Sequence, residues 1–99
     1  MHEDDPAFEE AARQAVEMAN RIAEQFPDTD LRDIADGLLS GAIHYWLYAR
    51  QPCEDPACPD CADIATAELR TASLIDHARD FAQTSDYFHS PTDHNVGRA

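Results

Sequence analysis

Lysine is missing from this 99-residue chain, and its seven basic residues are all arginine. That removes Schiff-base chemistry and the lysine of a phosphate-binding P-loop. Against the seven arginines stand 20 Asp and Glu, for a formal net charge of −13. A surface of that sign repels phosphate backbones and anionic headgroups, which argues against direct nucleic-acid or membrane binding. Long apolar runs are missing too. Hydrophobic residues make up 43% of the chain but fall in short stretches broken by polar ones, so nothing reads as a membrane span. The first ten residues, MHEDDPAFEE, are acidic with no apolar stretch behind them, unlike a secretory signal, and the expected location is cytoplasmic. Strand-like alternation, internal repeats and low-complexity tracts are absent. So are the His-Glu-x-x-His, G-x-S-x-G, Gly-rich phosphate-loop and EF-hand patterns, which takes away the usual sequence marks of a catalytic centre.

What is present is helical periodicity. Asp5 is placed to cap a helix with Pro6 at its first position, and Glu9 and Glu10 suit the positive end of the helix dipole. Phe8, Ala12, Ala15, Ala19, Ile22 and Phe26 then recur at spacings of four and three, one apolar stripe. Pro27 ends it, and the segment PDTD supplies a turn and the next cap at Thr29 or Asp30. So short a connection sends the second helix, Leu31 to about Arg50, back antiparallel. This helix is apolar over much of its girth, which predicts either a central position or burial against a second copy of the chain. Gly37 and Gly41 lie on one of its faces with His44 and Tyr48. Two glycines in a helix interior cost about 1 kcal/mol each relative to Ala, so a neighbouring backbone is expected to approach them closely. Tyr45, Trp46 and Tyr48 cluster at the end of this helix as a candidate contact surface, since Trp and Tyr dominate interaction hot spots. A third helix is expected from Pro59 or Asp60 to Thr84, on a stripe of Ile64, Ala67, Leu74, Ala78 and Phe81. The expected fold is all-α: a small antiparallel three-helix bundle over residues 1–85, with a Cys-rich loop between helices two and three and an irregular tail over 86–99.

The chemistry of the chain concentrates in that loop. QPCEDPACPDCAD, residues 51–63, holds all three cysteines, Cys53, Cys58 and Cys61, spaced C-x4-C-x2-C among Pro52, Pro56 and Pro59. Two thiolates in a C-x2-C turn can chelate one tetrahedral ion, and the prolines lower the cost of ordering such a site. The carboxylates of Glu54, Asp55, Asp60 and Asp63 attract a cation and disfavour bare thiolates. The metal expected is zinc. A closed zinc site needs a fourth ligand, and with no fourth Cys the candidates are His2 on the N-terminal arm and His44 on helix two. Glu3, Asp4 and Asp5 share the reach of His2, while His77, His89 and His94 lie farther away along the helices and tail.

Cys58-Pro59-Asp60-Cys61 is also locally similar to the active sites of thioredoxin-like and glutaredoxin proteins, which would make Cys58 and Cys61 a redox pair. Those sites follow a strand, and no strand is predicted here. The helical alkylhydroperoxidase superfamily carries a histidine four positions after its second cysteine, where this chain has Ala65. C-x4-C-x2-C also opens the plant-type ferredoxin spacing, but the remote fourth cysteine is absent.

Three functional classes follow. The first is a small acidic interaction or regulatory protein whose loop is pinned by a structural metal. Next comes an acidic inhibitor or nucleic-acid mimic that occupies a basic partner, and last a helical thiol–disulfide or peroxide enzyme using Cys58 and Cys61. The absence of a base or an oxyanion donor set favours the first and makes a protein partner, with a homodimer among the options, the expected binding mode.

Overall fold

The computed structural model describes residues 5–93. Their elements are α1 (Pro6–Gln25), α2 (Leu31–Ala49), a 3-10 segment (Pro59–Ile64) and α3 (Ala67–Gln83), with no strand among the described residues. The chain is all-α, as its periodicity predicts. It divides after Ala49 into two compact units.

The first unit is a helical hairpin. Asp5 caps α1 by accepting a hydrogen bond from the Ala7 amide at 2.9 Å, and Pro6, which has no amide to satisfy, takes the first helical position. Along the outer face Arg13 pairs with Glu10 and Glu17, three and four residues away, which supports the helix locally. The Phe26 amide returns to the Ile22 carbonyl at 3.0 Å, and the chain turns through Pro27. Asp30 opens α2: its side chain accepts from the Arg32 amide at 2.9 Å, and its carbonyl accepts from the Asp33 amide at 3.0 Å. Of the two expected caps, Asp30 is therefore the one used.

The two helices pack side by side, and Ala15, Ala19 and Ile22 of α1 and Ile34 and Leu38 of α2 are half-buried along the seam. No described residue is fully buried. Two helices make one layer, and one layer cannot enclose a core. Large apolar side chains of the hairpin consequently stay open to solvent, Leu39 at 57% and Tyr45 at 69% exposure among them. The glycines depart from expectation. A Cβ placed on Gly37 or Gly41 would meet nothing within 4 Å, so no neighbouring backbone fills the space they leave. Their spacing of four instead sets them opposite the equally small Ala15 and Ala19, and together these positions open an apolar groove of about 490 Å³ between α1 and α2.

The second unit contains the cysteine loop, the 3-10 segment and α3. The third helix begins later than its pattern predicts, because the chain from Pro59 to Ile64 winds as a 3-10 turn and α3 starts only at Ala67. Thr66 decides the break: its backbone is extended, and its hydroxyl accepts from the Leu69 amide at 3.1 Å, a capping bond that a continuous helix would forbid. Arg70 then reaches back to the Ile64 carbonyl at 2.8 Å and ties the first turn of α3 to the end of the 3-10 segment. Arg79 pairs with Asp76 at 3.3 Å, and His77 is held through Nδ1 against the Ser73 carbonyl at 2.8 Å. After Gln83 the described chain proceeds by turns, the last one closed by Asp93, which accepts from the Ser90 amide at 2.8 Å.

Candidate metal centre

The cysteine loop is built from two consecutive tight turns, each with proline in its second position. In the first, the Cys58 amide donates to the Asp55 carbonyl at 3.1 Å, and the Asp55 carboxylate accepts from the Ala57 amide at 2.9 Å. In the second, the Cys61 amide donates to the Cys58 carbonyl at 3.3 Å. Pro56 and Pro59 supply the fixed φ that the second position of such turns favours. Each turn closes on a cysteine. The second turn leads from Cys58, still extended, into the 3-10 segment, and its closing hydrogen bond brings Cys58 and Cys61 together.

Cys53 joins from eight residues before Cys61. Its amide donates to the Cys61 Sγ at 3.3 Å, and the two sulfurs lie 3.6 Å apart. The three Sγ atoms all fall within 4.8 Å of one another. A tetrahedral ion with sulfur ligands at about 2.3 Å sets its sulfurs about 3.8 Å apart, so this trio surrounds an ion after only a small contraction. All three thiols are free; Cys53 is exposed, and Cys58 and Cys61 are half-buried. The cluster can hold a metal ion.

The thiols differ electrostatically. Cys58 is held below the ordinary thiol value, first by a hydrogen bond from the Cys53 thiol and then by the amides of Cys61 and Asp60. For Cys61 the Cys53 amide pulls the value down, but the Cys53 thiol, partial desolvation and the nearby Cys58 outweigh it, and the net direction is up. One sulfur ionises readily while its neighbour is pushed to keep its proton, as like charges at this separation require. A cation among the three removes that conflict. Cys58 sits at the start of the short 3-10 segment and not of α3, so hydrogen bonds, and not the dipole of a long helix, favour its thiolate.

Among the described residues, the three cysteines form the only cluster of metal-ligating side chains. His44 is an exposed residue of α2 in the first unit, and His2 lies outside the described residues, as do Glu3, Asp4 and His94. His89 belongs to the turns after α3, its ring 4.0 Å from the Asp93 carboxylate and 4.8 Å between centroids from Phe88. Of the aromatic cluster, Tyr45 and Tyr48 are exposed with their rings 5.8 Å apart, and Trp46 is half-buried. The groove between α1 and α2 was not foreseen as a site. Its signal was the pair of small-residue spacings Ala15–Ala19 and Gly37–Gly41, which face one another once the hairpin closes.

No protein-family profile matches the chain, and neither the curated proteins nor the solved structures searched contain a match.

Proposed function

We propose that this protein is a small acidic interaction or regulatory module whose loop before α3 is pinned by a structural zinc ion on Cys53, Cys58 and Cys61. The observation that carries the reading is the gathering of the three sulfurs within 4.8 Å on a loop that two proline turns already shape. Zinc suits the set because it binds thiolates in tetrahedral geometry without redox chemistry. Three thiolates leave the fourth tetrahedral position to a ligand outside the cysteine cluster. Bound zinc converts a loop of free thiols into a rigid cross-link at the entrance to α3, and its binding energy becomes folding energy for that segment. The interaction role rests on the exposed Tyr45 and Tyr48 beside Trp46, an aromatic group suited to a protein contact.

Metal analysis and thiol titration of protein purified without chelator test the proposal. One zinc per chain is expected, with three thiols that react only after the metal is stripped. Metal-free protein with three freely reactive thiols would sink it. The acidic-mimic reading gives a different signature, binding to a basic partner that weakens steeply with salt. The thiol-enzyme reading on Cys58 and Cys61 draws support from the lowered Cys58 thiol, and it requires turnover of a disulfide or peroxide that serine substitution at both positions abolishes.

A further inference from the structure

We infer that the apolar groove between α1 and α2 is the face through which two copies of this chain pair, hairpin against hairpin, as a two-layer, four-helix bundle. The inference rests on the reading of the protein as an interaction module but not on the metal.

The groove is lined by Ala15, Met18, Ala19 and Ile22 from α1 and, from α2, by Ile34, Gly37, Leu38, Gly41 and Ala42, without a single charge. On α1 the charges keep away from it: Glu9, Glu10, Arg13, Glu17, Arg21 and Glu24 recur on the opposite side of the helix. Tyr45 and Tyr48, four and seven residues after Gly41, continue the face toward the end of α2, and both are exposed.

Width and area choose the occupant. Helices of 20 and 19 residues laid side by side present a face about 30 Å long and about 20 Å wide, roughly 600 Å². Two such faces bury about 1,200 Å² together, the lower bound for a specific and stable interface. A lone helix in the groove reaches about half that width, whereas a second hairpin matches all of it. The face is also self-complementary, as a two-fold pair demands. Met18 of α1 is 41% exposed at the rim, and the open space over Gly37 and Gly41 of α2 offers it a seat in the partner copy. Each glycine lowers helix propensity, and a partner helix seated close to the backbone is a compensation that the described residues do not supply.

Charge gives the pairing a signature. Each copy brings a formal −13, so two copies repel at long range while their contact face is neutral. Screening therefore tightens the pair, the reverse of an acidic surface binding a basic partner.

Sedimentation equilibrium of the full chain from low micromolar to several hundred micromolar is the test. The expected species is a reversible dimer, twice the 11.0 kDa chain mass, whose Kd falls as salt rises from about 0.05 to 0.5 M. Ala19→Glu should leave a helical monomer. The double change Gly37→Ala and Gly41→Ala should raise Kd at least about tenfold while helicity by circular dichroism stays level or increases. Dimerisation of a variant with all three cysteines changed to serine should match the parent, which separates this inference from the metal. A wild-type monomer throughout the range overturns the inference. So does a dimer that neither set of groove substitutions weakens.

Discussion

At the scale of single residues, position within a turn decides what a side chain can do. Cys58 and Cys61 come together because one hydrogen-bonded turn joins them, and Cys53 reaches them because the loop between folds into another turn. Changing any one of the three to serine should lower zinc affinity by more than the roughly 10–100-fold that outer-shell changes cost, read by competition with a chromogenic chelator. Pro59→Ala keeps every thiol but frees the second turn. It should weaken zinc by only a few-fold, the effect of about 0.4–1 kcal/mol of added loop entropy. A Pro59→Ala loss as large as that of a cysteine would mean the proline does more than restrict the chain. Caps obey the same logic. Asp5→Ala removes the acceptor for the Ala7 amide and should destabilise α1 by about 1 kcal/mol in urea titration followed by circular dichroism.

At the scale of elements, α1 and α2 were legible because each repeats an apolar stripe and each end carries a marked residue: Asp5 and Pro6, then Pro27, then Asp30. The start of α3 was not. Ile64 and Ala67 fit a helical stripe, so periodicity runs straight through the place where Thr66 breaks the backbone. A threonine in an apolar pattern is read as a tolerated polar residue, and only its extended backbone reveals a cap. Thr66→Ala should therefore cost about 1 kcal/mol and shift the loss of helix to the first turn of α3, visible as faster amide exchange near Leu69 and Arg70. The thiol cluster was legible as three residues in one loop, since spacing alone brings Cys58 and Cys61 together. That Cys53 and Cys61 bring their sulfurs to 3.6 Å depends on loop closure, which spacing does not encode. The glycines were legible as costly, but their use was not, because a space is defined by what stands across it.

At the scale of the whole molecule, the excess of acid and the shallow burial together set how the protein responds to its surroundings. Asp30 and Glu10 are held below the ordinary carboxylate range, Asp30 by the side chain and amide of Arg32, Glu10 by Arg13 and Gln14. A depressed value in the folded state means the contribution is present above the unfolded value and is lost as pH falls through the folded one. Helicity of the hairpin should accordingly hold through mildly acid conditions and decline below about pH 4. The proposed metal would act elsewhere. The three sulfurs belong to the second compact unit, and the capping and packing of α1 and α2 belong to the first. Folding energy released by zinc on the three cysteines would therefore be local to the loop, the 3-10 segment and the beginning of α3. Stripping the metal with a chelator should accelerate amide exchange across residues 53–70 and leave residues 8–24 and 33–48 at their former rates. A uniform rise along the chain would mean that the metal holds the entire fold together and that the hairpin has no stability apart from it. An unchanged loop would mean that the prolines alone keep the sulfurs gathered.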